Sequence, residues 1–282
     1  MSNFSNGGSP GLIPIPPAPQ AWLDVRGAFR DGWQAFRRAP WVFTGFTLLF
    51  VSMTTVLTLI NNNLQEAGLT PLSWLIAQLC QLGSSLLALW GALGTMRSAM
   101  LALAGQRPRF DDLTRVDGRA ILRMVLANLL FTLVMLAVLL PLLTVMGAGL
   151  SQLVDLDLSV TGEPIVRSFN PTPGGLALTF LPFLAILALI AYVMVNQHFL
   201  VQLAGLGHRG PWRTLVEGRA VVDRQWGSVM ALILLEALLF VAGLLALGVG
   251  LFVAMPVMIC ISTAAYRQLF PQPEGPAGLP AA

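Results

Sequence analysis

The sequence predicts an all-α polytopic membrane protein with six transmembrane helices, arranged as three helical hairpins that are each preceded by an amphipathic segment. Two observations predict this class. Of the 282 residues, 56% are hydrophobic and only 10% are charged, whereas soluble globular domains carry about 25% charged residues. Several apolar runs also reach about 20 residues, the length that a helix needs to cross the hydrocarbon core of a bilayer. The composition therefore excludes a soluble enzyme, a disulfide-stapled secreted module and a coiled coil.

The two end segments have a different composition from the rest of the chain. Residues 1–20 are rich in Gly, Pro, Ser and Asn and lack the basic and apolar regions of a secretory signal. Residues 271–282 contain four Pro. We expect a disordered leader over 1–20, a six-helix transmembrane domain over 21–270 and a flexible tail over 271–282.

The segment 22–39 has the pattern of an amphipathic helix. One face carries its large apolar residues, which are Trp22, Val25, Phe29, Trp33 and Phe36. The arginines of the segment lie largely on other faces. Because Trp and Phe together with Arg suit the headgroup boundary, we expect this helix to lie in the cytoplasmic membrane interface. The alternative is a helix that is solvated or packed against protein.

Apolar runs predict the spans. The first four are 41–60, 73–96, 121–145 and 176–195. The last run, 228–265, is 38 residues long with one charge, Glu236. A single helix of that length is improbable, so we split it near 243–250 into two spans. Each of these is slightly short, and a hairpin that stops before the far side of the bilayer is the alternative. Prolines 141, 182 and 256 are expected to kink their helices.

The distribution of arginine predicts the orientation in the membrane. All sixteen basic residues are Arg, and fifteen of them flank the same ends of the predicted spans, with only Arg167 on the opposite side. The positive-inside rule then places both termini in the cytoplasm. Topology also explains the high pI of about 9.5, so we expect membrane lipids, other membrane proteins and no nucleic acid as partners.

An internal repeat has a period of one hundred residues. Nine of the twenty residues 103–122 are identical to those of 203–222 without a gap. Each copy contains an acid-Gly-Arg triplet. The charged members, Asp117, Arg119, Glu217 and Arg219, are candidates for cytoplasmic ion pairs that hold the hairpins against one another. The alternative is duplicated scaffolding without an active role. The copies are parallel rather than inverted, which lowers the expectation of a transporter.

Glu236 is the candidate functional residue inside the membrane. It lies ten residues after Trp226, and a carboxyl group at that depth is costly and suggests a functional site. Its candidate partners are Asn128, Gln78, Gln81 and His198. Glu236 is either a neutral group making one structural hydrogen bond, or a group that takes part in proton coupling or ligand contact.

Motifs of catalysis, cofactor binding or metal ligation are missing from the sequence. Cys80 and Cys260 lie in apolar runs without a CxxC pattern, and His198 and His208 are the only histidines. We therefore expect no enzyme activity, no cofactor and no metal site. The triplet 196–198, Asn-Gln-His, is expected to form an interhelical hydrogen-bonding cluster.

Three short features resemble a known family. They are Phe36-Arg37-Arg38-Ala39-Pro40, the turn Gly207-His208-Arg209-Gly210-Pro211 leading into 212–226, and the last helix, which contains Pro256 and ends Tyr266-Arg267-Gln268-Leu269-Phe270. Together they resemble an uncharacterised family of six-helix proteobacterial inner-membrane proteins. That family is similar to the membrane domain found ahead of some bacterial glycerophosphodiester phosphodiesterases. The resemblance covers residues 22–270 and implies the six-helix fold. It implies no phosphodiesterase activity, because the catalytic barrel is missing, and it implies no site residues.

Two functions follow as hypotheses. The first is a non-enzymatic integral inner-membrane protein that acts as a scaffold, accessory subunit or assembly factor. The alternative is a transporter or lipid-handling protein that uses Glu236. A cavity lined by Glu236 and the polar groups of spans two to four would favour the alternative, whereas a solid bundle would favour the scaffold.

Overall fold

A computed structural model of the chain describes residues 22–66, 71–158, 164–169, 171–207, 210–246 and 248–270. The predicted leader and tail lie outside these residues. Six of the described helices are long and apolar enough to cross a membrane. The predicted all-α polytopic class with six spanning helices is therefore confirmed.

Ten helices and one pair of strands make up the described part of the chain. In order, they are α1 (Val25–Arg38), α2 (Pro40–Glu66), α3 (Pro71–Leu103), α4 (Phe110–Thr114), α5 (Gly118–Leu153), β1 (Val154–Leu158), β2 (Pro164–Phe169), α6 (Pro173–Asn196), α7 (Leu200–Leu206), α8 (Pro211–Asp223), α9 (Trp226–Leu245) and α10 (Leu251–Leu269). Several spanning helices are longer than their apolar runs, since α3 has 33 residues and α5 has 36.

The spanning helices pack as the three predicted hairpins, α2 with α3, α5 with α6 and α9 with α10. The helices of the second hairpin approach closely. A Cβ atom on Gly149 would lie only 2.7 Å from the backbone nitrogen of Thr179, so a small residue is required at this crossing. The end of α5 continues into an antiparallel ribbon in which Val154 pairs with Phe169. This ribbon is an addition to the predicted fold, and its first strand has the alternating apolar and acidic pattern typical of a strand.

The last hairpin turns where the sequence analysis split its 38-residue run. Helix α9 ends at Leu245 and α10 begins at Leu251, and Gly248 in the turn has a φ of +74°, a conformation that glycine adopts without strain. The two helices have 20 and 19 residues. At 1.5 Å per residue each is about 30 Å long, which matches the hydrocarbon core.

Helix α1 packs against protein through a face of small residues. Ala28, Gly32 and Ala35 are buried, and a Cβ on Gly32 would lie 2.6 Å from the Cα of Ile261 in α10. The sequence analysis favoured a helix lying in the membrane interface and missed this face. Small residues let the two backbones approach, so α1 packs against protein through this face. The position of α1 in the membrane interface stays a prediction. Trp33 of α1 remains 40% exposed.

The ends of several helices meet at one end of the bundle. The backbone N–H of Leu23 donates to Gln225 Oε1 at 2.6 Å, and that of Asp24 donates to Gln268 Oε1 at 3.0 Å. The Arg38 guanidinium donates to the carbonyl oxygen of Ala102. The start of α1, the end of α3, the junction of α8 with α9 and the end of α10 therefore lie together. We call this end of the bundle the arginine-rich end. Its described arginines are Arg26, Arg30, Arg37, Arg38, Arg97, Arg107, Arg109, Arg115, Arg119, Arg123, Arg213, Arg219, Arg224 and Arg267.

Candidate functional site

Glu236 faces the interior of the bundle. It is 7% exposed, and its Oε1 accepts a hydrogen bond of 2.6 Å from the Ser262 hydroxyl. Its Oε2 lies 3.5 Å from His198 Nε2, which is within reach of an ion pair but is not aligned as a hydrogen bond. We call Glu236, Ser262 and His198 the Glu236 cluster. It joins α9, α10 and the turn between α6 and α7.

Local structure positions each member of the cluster. Helix α6 ends at Asn196, so His198 lies in the turn before α7. Its ring packs edge-on against the buried Phe199 with 4.9 Å between centroids. Glu236 and Ser262 lie equally far in sequence from Val249, which lies in the α9–α10 turn. Residues related in this way lie at the same height in an antiparallel hairpin, and this symmetry is the signal by which Ser262 was predictable from sequence.

Of the four predicted partners of Glu236, the structure places His198 beside it. The amide nitrogen of Asn128 instead donates to the Met124 carbonyl oxygen of its own helix at 2.9 Å. The side chains of Gln78 and Gln81 are exposed on α3. Those two glutamines therefore take no part in the Glu236 cluster. The closest partner, Ser262, was not among the residues predicted.

Several buried polar atoms have no hydrogen-bond partner among the described residues. Among them are the hydroxyl oxygen of Ser98, both amide atoms of Asn196 and the amide oxygen of Gln202. Buried polar groups are nearly always paired with protein or with ordered water. The predicted Asn196-Gln197-His198 cluster is thus buried at Asn196, but its amide is not bonded to any protein group described.

Two cavities of the described structure lie away from the Glu236 cluster. One is a groove of about 400 Å³ at the arginine-rich end, lined by α1, α3 and α10. The other, about 360 Å³, lies between α5 and α6 and is lined only by apolar side chains, among them Leu142 and Leu181. No group of three or more His, Cys, Asp or Glu able to hold a metal occurs in the part of the chain described. The Glu236 cluster is a contact between helices, and its residues line neither of these two cavities.

Asp117 connects the second and third spanning helices. Its Oδ1 accepts hydrogen bonds of 3.1 Å from the backbone N–H groups of Arg119 and Ala120, so it caps the N-terminus of α5. Its Oδ2 forms an ion pair with Arg97 of α3. Burial alone would raise the pKa of Asp117, but the bond from Ala120 and the Arg97 guanidinium more than offset it, and the pKa lies below its ordinary value. Arg97 is a partner that the sequence analysis missed.

Arg219 is bonded to a different set of groups. Its Nε lies 3.0 Å from Tyr192 Oη and 3.4 Å from Asp223 Oδ2, and the Tyr192 hydroxyl donates to Asp223 Oδ1 at 3.0 Å. The hydrogen bond to Tyr192 and the nearby Asp223 raise the pKa of Arg219. Asp117 and Arg219 therefore pair with residues outside their triplets, because neighbours two positions apart on a helix do not face each other. Glu217 lies half-buried within α8.

Comparison with protein-family models, curated proteins and solved structures finds no match to this chain. The resemblance to a six-helix inner-membrane family therefore stays a prediction. The interpretation of the Glu236 cluster and of the arginine-rich end depends on their own geometry.

Proposed function

We propose that this chain is a non-enzymatic integral protein of the bacterial inner membrane that acts as a scaffold, accessory subunit or assembly factor. One observation carries the proposal. The carboxyl group inside the membrane is bonded to Ser262 and adjacent to His198, and neither described cavity includes it. A buried carboxyl group that joins three helix segments stabilises their packing. A transport pathway would instead place it against a space that a substrate can enter.

The proposed orientation places both termini and the arginine-rich end in the cytoplasm. It is supported by the hydrogen bonds that bring the arginine-bearing segments together at one end. Arg residues of inner-membrane proteins concentrate on the cytoplasmic side. Trp41 is 87% exposed, next to the end of α1, and exposed Trp is typical of the membrane interface.

Cysteine labelling in whole cells tests the orientation. In a background with Cys80 and Cys260 replaced, single cysteines at positions 66 and 157 should react with an impermeant thiol reagent added outside. Cysteines replacing Arg107 or Arg213 should react only after the membrane is permeabilised. Outside labelling at either arginine position would overturn the proposed orientation.

A transporter or lipid-handling protein is the second candidate. It is favoured by the buried Asn196, whose amide has no partner among the described groups and which lies two residues before His198 of the Glu236 cluster. Water or a substrate group bound there would be adjacent to a residue that can exchange a proton with Glu236. This function would make the Glu236 carboxyl essential.

The variant Glu236→Gln separates the two functions, because the amide keeps the size of the side chain and a hydrogen bond to Ser262. The protein and this variant are purified in mild detergent at native expression level, and co-purifying proteins are quantified by mass spectrometry. The scaffold function predicts the same stoichiometric protein partner with both. Two results together would replace the scaffold function with the transporter function. They are the absence of a stoichiometric protein partner, and proton-dependent uptake in proteoliposomes that Glu236→Gln abolishes.

A further inference from the structure

We propose that the groove at the arginine-rich end binds the phosphate of an anionic phospholipid headgroup. Its polar lining residues are Asp31, Gln34, Arg38, Arg267 and Gln268, and its volume is about 400 Å³. That volume lies in the range of about 300–1,000 Å³ that is typical of small-molecule sites. Basic pockets between transmembrane helices are the usual binding sites of anionic headgroups.

The charges of the groove leave hydrogen-bond donors for an anion. Asp31 Oδ1 lies 3.6 Å from Arg30 Nε, so its negative charge is balanced from outside the groove. Arg38 uses one N–H on the carbonyl oxygen of Ala102, and a guanidinium has five N–H donors. Arg267 has no carboxylate partner among the described residues. Two guanidinium groups therefore line the groove with donors to spare, and guanidinium is well suited to phosphate.

The walls of the groove are held by protein contacts. The amide of Gln268 bonds the backbone N–H of Asp24 at 3.0 Å and the Asp24 carbonyl oxygen at 3.4 Å. The close contact of Gly32 with Ile261 holds α1 across α10 beside it. A site whose walls are already in place loses little conformational entropy when it binds a ligand.

The position of the groove suits a lipid rather than a soluble ligand. It lies where α1 crosses the end of a spanning helix, and Trp33 of α1 is 40% exposed. Exposed Trp beside Arg is typical of the headgroup layer. The preference for a lipid rests on the proposed position of the arginine-rich end at the membrane interface, and it does not rest on the scaffold function.

The helix ends around the groove favour a bound cation rather than an anion. Helices α1, α3 and α10 all end near it, and the carbonyl groups at helix C-termini carry partial negative charge. Arg38 offsets this charge directly at Ala102. A cation is therefore the competing occupant, and the experiment includes it.

Thermal unfolding of the full chain in neutral detergent tests the proposal. Phosphatidylglycerol, phosphatidylcholine, inorganic phosphate and Mg²⁺ are titrated separately, and unfolding is followed by the reactivity of the buried Cys260 thiol in a Cys80→Ser background. We expect phosphatidylglycerol to raise the midpoint and phosphatidylcholine to do so much less. Arg267→Gln should weaken the apparent affinity for phosphatidylglycerol by about tenfold, as expected for a lost charged hydrogen bond. Arg26→Gln, an exposed arginine of α1 outside the groove, is the matched control and should bind as the unmodified chain does.

Three results would overturn the proposal. Equal phosphatidylglycerol affinities in Arg267→Gln and Arg26→Gln would show that the groove is not the site. A full shift with inorganic phosphate alone would assign a soluble phosphate ligand, and a shift with Mg²⁺ but not with phosphatidylglycerol would assign a cation. Because Arg267 lies at an exposed helix end, we expect the variant to fold, and Arg267→Lys should recover part of the affinity. Glu236→Gln should bind lipid normally, so failure of the proposed function leaves this test unchanged.

Discussion

Two junctions of the bundle share much of their sequence and differ in structure. Residues 103–122 and 203–222 are identical at nine of twenty positions. In the first junction, the short helix α4 ends at Thr114 and α5 begins only at Gly118. In the second, α8 runs without a break from Pro211 to Asp223. The same local sequence is therefore helical in one copy and interrupted in the other.

The acidic residue of the triplet accounts for much of this difference. Asp117 has a short side chain that bonds the N–H groups of Arg119 and Ala120 and so starts a new helix. Glu217 is a better helix former and a poorer cap, and α8 continues through it. Gly105 ends its helix at a φ of +91°, whereas the equivalent Gly205 is buried inside α7. The identity of the acid and the local contacts of each copy, rather than the residues that the two copies share, decide where the helices stop.

The largest expected effect is at Gly94, which lies beneath the first junction. An added Cβ would overlap the carbonyl oxygen of Leu113 in α4. Gly94→Ala must displace α4 and should lower the free energy of unfolding by about 3 kcal/mol. The measurement is detergent unfolding followed by Cys260 reactivity. Gly83→Ala on the same helix, where a Cβ meets nothing within 4 Å, is the control. Equal stability of the two variants would show that α4 does not pack on α3 as described.

The next effect is at Asp117. Asp117→Ala removes the cap of α5 and leaves Arg97 without its carboxylate, so the free energy of unfolding should fall by about 2 kcal/mol. Asp117→Glu introduces the acid that is present in the second junction. Because glutamate is a poorer N-cap, the free energy of unfolding should fall by about 1 kcal/mol. The reverse exchange, Glu217→Asp, should not introduce a helix break. A break detected in α8 by faster amide hydrogen exchange would mean that the acid alone determines whether the helix is interrupted.

The Asp117 interaction also depends on pH. Because its folded pKa lies below the ordinary value of 3.8, the stability it contributes is complete above that value and is lost as pH falls through the folded pKa. The difference in unfolding free energy between the unmodified chain and Asp117→Asn should be constant from about pH 7 to pH 5 and should shrink steadily as the pH falls below the ordinary value of 3.8. A difference that persists in acid would assign the effect to packing instead of charge.

A smaller difference in stability is expected between substitutions of Gly105 and Gly205, the equivalent glycines of the two junctions. Gly105→Ala forces an alanine into the left-handed region and should cost about 1 kcal/mol. Gly205→Ala should be nearly neutral, because a gain in helix propensity offsets contacts of 3.1 Å with the flexible ends of Leu93 and Met124. Unfolding midpoints of both variants, measured side by side, check this. A larger loss at Gly205 would show that α7 packs more tightly than the contacts indicate.

The smallest effect is at the arginines. Arg219→Gln loses exposed contacts to Tyr192 and Asp223 and should lower the unfolding free energy by about 0.5 kcal/mol or less. Arg119 is exposed and only its backbone bonds Asp117, so Arg119→Gln should change nothing measurable. Raising the salt concentration should reduce the effect at Arg219. An effect of more than about 1 kcal/mol at Arg219 would mean that its ion pair with Asp223 is buried in the assembled protein. A measurable effect at Arg119 would contradict the exposed position of its side chain.

Most of the helical framework and part of the candidate site were predictable from the sequence. The six spans, the split of the last run near Gly248 and the inward position of Glu236 all agree with the structure. Ser262 was missed, although its position mirrors that of Glu236 across the α9–α10 turn. The small-residue face of α1 around Gly32 was missed as well, because the large aromatic residues of that helix dominate its periodicity.

The sequence by itself determined the six helices of the described residues that are long and apolar enough to cross a membrane, because the length and hydropathy of an apolar run are properties of that run alone. Only the tertiary structure decided which helix faces meet. A helix that is apolar all round carries little periodic signal, since its lipid-facing and protein-facing sides are both hydrophobic. Three contacts depend on how separate helices pack, namely those of Asp117 with Arg97, Glu236 with Ser262 and Gly32 with Ile261. The order of residues along the chain does not specify the distances between separate helices.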